Sequence, residues 1–420
     1  MTALALLALV LLLLVLRQSV ILILIVSAAF VHLFWGRGDL TYLIDDIWTA
    51  VNRESLLAIP MFILAGSIMS RGSITARLID IVRSLVEWLP GGLAVATILS
   101  CAMFAAISGS SPVTMLAVSS IMYPALLARG YGKKFSIGAL ASGGTLGIII
   151  PPSIPMVFYA IVTETSISDL FLAGVIPGLL LTAVLATYAL VVNRHIAPEP
   201  FRLTNVVQAL RRGVFAMLAP FVMLGGIYSG HFSATEAAGV TVVYVLLVEV
   251  FVHRELKLQD FLKLSVDTAR LLGTILPILA VATSINILLT AARVPQDFAA
   301  WMTATVQSKV AFLIALNIFL LIAGCLIDIV SAILMFAPIL LPVALAYGID
   351  PIHLGIIIVV NLEIGYLTPP VGLNLIVGMT AFKESFLTIC RAVVPFIMLM
   401  AAVLVAVVWF PQLSLALLNR

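Results

Sequence analysis

The sequence predicts an all-α integral membrane protein built from two related halves, and three observations lead to this fold class. Of the 420 residues, 63% are hydrophobic and only 10% are charged, with a mean hydropathy of +1.24. The apolar runs provide about ten passes of roughly 20 residues each, the length that crosses a bilayer as a helix, plus several half-length pieces. A helix-breaking pattern also occurs twice: the stretch from Gly147 to Pro152 recurs from Gly365 to Pro370, 218 positions later.

The two breaks have the same physical consequence. Each Pro removes a backbone N–H and clashes with the preceding turn, so Pro151-Pro152 and Pro369-Pro370 interrupt an apolar helix and free its carbonyl groups. Because an unpaired backbone group in hydrocarbon is costly, paired breaks predict a polar centre that binds an ion or a substrate. Three further residues recur at the same offset: Pro124 as Pro342, Gly130 as Gly348, and Pro177 as Pro395.

Two parts of the chain are expected to form a scaffold of plain helices. The first, residues 1–54, contains the apolar runs Met1–Leu16 and Val20–Trp35, which we interpret as retained because no basic leader of a signal peptide precedes them. The second, residues 194–268, contains two spanning helices over roughly residues 214–229 and 233–252. The cysteines and histidines are scattered without metal-ligand spacing.

The two halves are predicted at residues 55–193 and 269–420. Each opens with a proline-containing apolar helix, Ile59-Pro60-Met61 in the first half and Leu276-Pro277-Ile278 in the second. A more polar connector follows, over residues 71–88 or 293–309. Its mixture of charged and apolar residues suits an amphipathic helix at the membrane interface, although an ordinary loop outside the membrane fits equally well.

Each half continues with a predicted re-entrant helical hairpin and then a broken helix. The hairpins lie near residues 92–128 and 311–346, and the broken helices near 135–165 and 353–381. Each hairpin segment is short for a crossing, at about 15 residues. The first tip, Ser108 to Ser111, offers N–H and hydroxyl groups to a ligand, although small residues also serve helix packing. Asp328, a carboxylate at the second tip, is a functional-site candidate by default.

Charge placement predicts that the halves are inverted. The loop after the first hairpin contains Arg129, Lys133 and Lys134, whereas residues 347–353 after the second hairpin contain no Lys or Arg. By the positive-inside rule the first loop faces the cytoplasm and the second the opposite side. An odd number of passes separates them, which indicates two inverted-topology repeats.

The motifs of both halves resemble one family. The stretch from Asn361 to Gly372 (Asn-Leu-Glu-Ile-Gly-Tyr-Leu-Thr-Pro-Pro-Val-Gly), preceded by Asp350-Pro-Ile-His-Leu-Gly355, is similar to the large membrane subunit of the TRAP (tripartite ATP-independent periplasmic) transporters, the DctM-like permeases. The first half agrees at Ser108–Ser111 and Gly147–Ser153. The resemblance implies an elevator-type transporter of the bacterial inner membrane, with Na⁺ as the coupling ion, no other cofactor and no enzymatic activity.

The resemblance also implies the partners. A separate small membrane subunit and a periplasmic solute-binding protein would accompany the chain, and the substrate would be an organic acid, either a C4-dicarboxylate, a sialic acid or a sugar acid. Membrane lipid surrounds the helices, and the net charge of +3 indicates no nucleic-acid partner. A passive channel, or a solute carrier that works without a binding protein, is the alternative. A primary pump is disfavoured because the P-loop motif is absent, and a serine protease because the tip serines lack a nearby base in the sequence.

By this resemblance, each broken helix and a hairpin tip would form one sodium site, because Na⁺ prefers carbonyl and hydroxyl oxygens. The substrate would lie between the tips, although Asn361 could equally make an interhelical hydrogen bond. The first sodium site would consist of Ser108, Ser111, Gly147, Ile150 and Pro152; the second of Asp328, Gly365, Thr368 and Val371; and the substrate site of Gly109, Ser110, Asn361 and Asn374.

Overall fold

The computed structural model describes residues 2–16, 18, 20–35 and 38–418, and these residues form helices joined by short turns. The predicted N-terminal runs are helical, although Met1 and Arg17 lie outside the described residues. The second and third helices pack against the long helix that opens the second half. These N-terminal helices are α1 (Thr2–Val15), α2 (Val20–Phe34) and α3 (Thr41–Val51).

The first half contains seven α-helices after a short 3-10 turn at Glu54–Leu57. Its polar connector forms a helix rather than a loop, with Leu78 and Val82 buried on one face and Asp80 exposed on the other, so the prediction of an amphipathic helix is confirmed. The helices are α4 (Ala58–Arg71), α5 (Ile74–Val86), α6 (Gly92–Ser108), α7 (Ser111–Ala128), α8 (Lys133–Ile149), α9 (Ile154–Thr163) and α10 (Ile167–Asn193).

Two helices connect the halves, as predicted. They are α11 (Leu203–Tyr228) and α12 (Ala234–Leu247), the latter continued by a π-helical turn at Val248–Val252. The prediction placed the start of α11 near residue 214, which is wrong by about three turns at 3.6 residues per turn. The basic stretch before that point is helical because it packs on α5, where Arg77 donates from Nη1 to the Arg212 carbonyl oxygen at 2.9 Å.

The second half repeats the helix order of the first. The second helix of the hairpin shows this most clearly: α7 spans Ser111–Ala128, and its counterpart spans Ile329–Ala346, 218 positions later at both ends. The predicted boundary at residue 269 falls inside the opening helix of this half. The helices are α13 (Leu258–Ala291), α14 (Val294–Thr305), α15 (Lys309–Leu326), α16 (Ile329–Ala346), α17 (Pro351–Tyr366), α18 (Leu373–Phe382), α19 (Phe386–Trp409) and α20 (Gln412–Leu415).

Ten helices in the described part of the chain are long and apolar enough to cross a membrane, which matches the predicted number. Among the hairpin helices, α7, α15 and α16 each reach 18 residues, somewhat more than the predicted length. By length and composition alone these three therefore qualify as spans.

The first segments of the two broken helices, α8 and α17, form the centre of the molecule. Every residue of α8 from Ser136 onward is buried, as is every residue of α17 from Ile352 onward. Small residues allow this close packing: Gly138 lies against Phe396 of α19, and Gly144 lies against Met115 of α7. The segments that precede the two breaks therefore lie at the middle of the fold, although residues 369–371 of the second break are exposed.

Candidate ion- and substrate-binding site

The tip of the first hairpin is a buried turn between α6 and α7. Gly109 has a φ of +60°, a left-handed conformation that glycine adopts without strain. The Ser108 Oγ atom lies 2.6 Å from Thr114 Oγ1 and 3.4 Å from the Ser110 carbonyl oxygen. Gly147 of α8 lies directly against this turn, because a Cβ atom there would be 2.6 Å from the Ser110 carbonyl oxygen. The tip thus brings hydroxyl and carbonyl oxygens together around Gly147.

The first helix break, between α8 and α9, is joined to this tip. Ser153 stabilises the break through its side chain, which donates to the Ile148 carbonyl oxygen at 2.6 Å and accepts from the Met156 N–H at 3.3 Å. The Ile154 N–H, the first of α9, donates to the Gly109 carbonyl oxygen at 3.2 Å. A serine at the N-cap therefore satisfies groups that the two prolines leave unpaired.

The second break, between α17 and α18, contacts the second hairpin in a similar way. The Val371 N–H donates to the Cys325 carbonyl oxygen at 3.2 Å, which connects the break to the end of α15. Gly365 lies against the backbone of α15. The Thr368 hydroxyl donates to the Ile364 carbonyl oxygen at 2.8 Å, so the lone pairs of its oxygen remain available to a cation.

Asp328 begins the second helix of the second hairpin. Its Oδ1 atom accepts from the Ser331 N–H at 3.0 Å, which makes Asp328 the N-cap of α16, and the residue is exposed. The neighbouring Ile329 N–H donates to the Tyr366 hydroxyl at 3.0 Å, so α17 also contacts this tip. The start of α16, with Asp328 as its N-cap, therefore lies beside the second break.

A further group of polar side chains links the two halves. Ser111, at the start of α7, donates from Oγ to the Glu363 Oε1 atom at 3.0 Å, and Asn374 donates from Nδ2 to the Ser111 Oγ atom at 2.6 Å. All three residues are 0% exposed. Among the described residues, neither Glu363 Oε2 nor Asn374 Oδ1 has a hydrogen-bond partner. We call these three residues the interhalf cluster.

The sequence analysis did not select Glu363 for any site. A signal was nevertheless present, because Glu363 is a carboxylate in an apolar helix, the same criterion that singled out Asp328. The structure shows that Glu363 is the more deeply buried of the two carboxylates.

Two predicted site residues direct their side chains to contacts other than the hairpin tips. Asn361 makes an interhelical hydrogen bond, donating from Nδ2 to the Asn317 Oδ1 atom at 2.8 Å and the Asn317 carbonyl oxygen at 3.0 Å. The side chain of Ile150 points toward α10, where it packs against Gly178. The other predicted site residues fall into three groups: Ser108, Gly109, Ser110, Gly147 and Pro152 around the first tip; Asp328, Gly365, Thr368 and Val371 around the second break; and Ser111 with Asn374 in the interhalf cluster.

The oxygen atoms around both breaks suit a sodium ion. They belong to hydroxyl, carbonyl and carboxylate groups, which are hard ligands. At the second break the side chain of Cys325 also contacts Thr368. In the described part of the chain no three His, Cys, Asp or Glu side chains come close enough together to hold a metal ion. The residues present therefore fit Na⁺ better than a softer metal.

A family model described as the DctM component of the tripartite ATP-independent periplasmic transporters matches residues 6–413. The chain belongs to this DctM family. The "C4-dicarboxylate TRAP transporter large permease protein DctM" of Pseudomonas aeruginosa is 41% identical over 396 residues, which cover 94% of this chain and 93% of that protein. The "Isethionate TRAP transporter permease protein DctMQ" of Oleidesulfovibrio alaskensis is 37% identical, with coverage of 90% of this chain and 60% of that protein.

The fold of this DctM-family permease also resembles a solved structure. The crystal structure of the Alcanivorax borkumensis YdaH transporter covers 92% of this chain and 91% of its own, with a TM-score of 0.65 and 13% sequence identity. At this identity the likeness concerns the fold alone. Membership of the DctM family confirms that the chain is a multi-pass transporter subunit of the bacterial inner membrane and not an enzyme.

Proposed function

We propose that this chain is the large transmembrane subunit of a sodium-coupled secondary transporter that imports an organic acid. One observation supports this most: both helix breaks of a DctM-family chain place hydroxyl and carbonyl oxygens beside a hairpin tip. A periplasmic solute-binding protein would deliver the acid, and a small membrane subunit would complete the assembly.

The substrate class is proposed from the relatives together with the chemistry of the first tip. The Pseudomonas aeruginosa relative carries C4-dicarboxylate in its name and the Oleidesulfovibrio alaskensis relative isethionate, and both are small organic acids. The N-terminus of α7, next to Ser110 and Gly109, offers backbone N–H groups and the positive end of a helix dipole to such an anion. A C4-dicarboxylate is therefore the substrate to test first.

The sodium sites are proposed at the two breaks. At the first, Ser108 and the carbonyl groups near Gly147, Ile150 and Pro152 would hold the ion. At the second, Thr368 would contribute its hydroxyl oxygen, Gly365 and Val371 their carbonyls, and Asp328 its carboxylate. Bound sodium supplies positive charge beside the substrate carboxylate and links uptake to the sodium gradient.

The proposed movement is that of an elevator, with the two halves inverted relative to each other. The hairpins and broken helices would move against a scaffold of the N-terminal and connecting helices. Polar contacts cross this boundary. Arg53 donates from Nη1 to the Ile161 carbonyl oxygen at 3.0 Å, and Arg129 Nη1, directly after the first hairpin, lies 2.8 Å from Glu199 Oε1 of the connecting segment. The Arg53 contact has to break or re-form if α9 moves relative to residues 1–54.

The test is uptake of radiolabelled succinate into proteoliposomes that contain the chain, its small subunit and the binding protein. We expect accumulation only with an inward sodium gradient, and none when choline replaces sodium. A passive channel would equilibrate succinate regardless of sodium and would show no saturable counterflow. A carrier that needs no binding protein would reach the full rate when that protein is omitted.

A further inference from the structure

The interhalf cluster of Ser111, Glu363 and Asn374 contains more oxygen atoms than its own hydrogen atoms satisfy. The Ser111 hydroxyl donates to one carboxylate oxygen, and the Asn374 amide donates to Ser111. The second carboxylate oxygen of Glu363 and the amide oxygen of Asn374 have no partner among the described residues, although both side chains are 0% exposed. Buried polar atoms are normally satisfied, so two in one group need an explanation.

A second buried glutamate shows what a satisfied carboxylate looks like in this chain. Glu249, at the end of α12, is also 0% exposed. Its Oε1 atom accepts from the Ile74 N–H at 2.8 Å, and its Oε2 atom lies 3.5 Å from Ser73 Oγ and 3.6 Å from His253 Nδ1. Both oxygens of Glu249 therefore have polar neighbours. For the carboxylate of Glu363, the described residues provide one hydrogen-bond donor, Ser111.

We propose that Ser111, Glu363 and Asn374 bind a sodium ion at a third site, which joins the tip of the first hairpin to the second broken helix. The proposal rests on the sodium-coupled function proposed above. The three side chains offer one carboxylate and two neutral oxygens, all hard ligands, and both side chains of the second half converge on the Ser111 oxygen.

The charge of the cluster selects the kind of ligand. One carboxylate balances one monovalent cation, whereas a divalent ion would leave an uncompensated positive charge in a buried site. An anionic substrate is disfavoured here because the carboxylate of Glu363 would repel it. The cluster is thus assigned to a cation, and Asn374 to that cation rather than to the substrate.

The position of the cluster gives the bound ion a mechanical role. Ser111 belongs to α7 in the first half, while Glu363 and Asn374 belong to α17 and α18 in the second half. An ion held by all three side chains would fix the first hairpin tip against the second break. Sodium would then order the substrate site by tying its two sides together.

The experiment is equilibrium binding of ²²Na⁺ to the purified full chain in lipid nanodiscs, with choline to maintain ionic strength. We compare the wild-type chain with Glu363→Gln, which keeps the shape and removes the charge, and with Ser111→Ala. Glu249→Gln is the matched control, because it neutralises an equally buried carboxylate outside the cluster. Melting temperatures in choline establish that each variant is folded.

We expect Glu363→Gln to lose one bound sodium per chain, or to bind it at least about ten-fold more weakly, because a charged ligand is removed. Ser111→Ala should weaken the binding of the same ion, and Glu249→Gln should bind sodium as the wild-type chain does. Sodium binding that is unchanged in both Glu363→Gln and Ser111→Ala overturns the third site and leaves the proposed function intact. A wild-type chain that binds no sodium overturns the proposed function itself.

Discussion

The two helix breaks have the same residue spacing but opposite exposure. Pro151 and Pro152 are buried in the first break, whereas Pro369 and Pro370 are exposed in the second, where Val371 is 41% exposed. The difference comes from packing: α9, after the first break, lies against α4, α16 and α17, while α18 lies mainly against α7 and α19. Sequence spacing therefore decides where a helix breaks, and tertiary contacts decide what can reach the break.

The largest effect is expected where the backbone itself blocks a side chain. A Cβ atom at Gly147 would lie 2.6 Å from the Ser110 carbonyl oxygen, and one at Gly365 would lie 2.6 Å from the Gly324 Cα atom. Overpacking of this kind costs about 1–3 kcal/mol. We predict that Gly147→Ala and Gly365→Ala each abolish succinate uptake and lower the melting temperature.

Gly273→Ala is the control for both substitutions, because a Cβ atom at this helical glycine would meet nothing within 4 Å. It should transport as the wild-type chain does. If Gly147→Ala or Gly365→Ala transports normally, the close approach of tip and break is not needed in that half.

The next effect concerns single oxygen ligands in the two halves. Removing one polar partner from a site typically costs about 1–3 kcal/mol, which is about ten-fold or more in affinity. We predict that Ser108→Ala and Thr368→Val each raise the sodium concentration for half-maximal uptake by about ten-fold. Uptake against sodium at saturating succinate measures this.

Ser108→Ala and Thr368→Val should differ in their effect on the stability of the chain, which distinguishes the buried first break from the exposed second one. Ser108 is buried and bonded to Thr114, so its loss also lowers the melting temperature in choline. Thr368 is half-buried, and valine keeps its shape. An unchanged sodium dependence in both variants would show that these side chains serve packing alone.

Most of the fold was predictable from local chemistry. Proline and glycine mark the turns, so the predicted ends of the hairpins, residues 128 and 346, coincide with the ends of α7 and α16. The predicted start of α11 was wrong because arginines normally indicate a loop beside a membrane span, whereas here the stretch that contains Arg212 is helical and packs on α5.

A smaller effect, on labelling rather than on transport, tests the inverted arrangement of the halves. Residues 129–134 contain three basic residues, and residues 347–353 contain no Lys or Arg. We predict that cysteines placed at the exposed positions Gly132 or Lys134 react with an impermeant maleimide only from the cytoplasm, and those at Tyr347 or Gly348 only from the periplasm. Labelling of both loops from one side would contradict the inverted repeats.

The site was less predictable than the fold. Ser108, Gly147 and Thr368 were assigned to sodium sites from the family resemblance, and of the three only Gly147 recurs at the 218-position offset, as Gly365. The sequence could not reveal that Ser111 bonds to Glu363, because that contact joins residues 252 positions apart. Burial of a carboxylate depends on which helices surround it, and a single sequence does not contain that information.

The smallest predicted effect concerns His253, outside both breaks, and it changes the pH dependence of stability rather than transport. Burial lowers the pKa of His253, as does the charge of Arg77, and together these outweigh Glu249 and Glu255, which raise it. The unfolded chain then binds a proton more readily than the folded one, so stability falls as the pH drops through about 6.5, the ordinary value. We predict that His253→Gln reduces this loss, measured by melting temperature between pH 7.5 and 5.5, and an identical pH profile would contradict the assignment.

Joint measurement of ²²Na⁺ and labelled succinate entry into the same proteoliposomes tests the central claim most directly. With the complete three-component system, the account predicts that both enter in a fixed ratio of more than one sodium per succinate, since each half contributes a site. In Thr368→Val both fluxes should fall together at limiting sodium. Succinate accumulation without accompanying ²²Na⁺ entry would contradict sodium coupling at the two breaks.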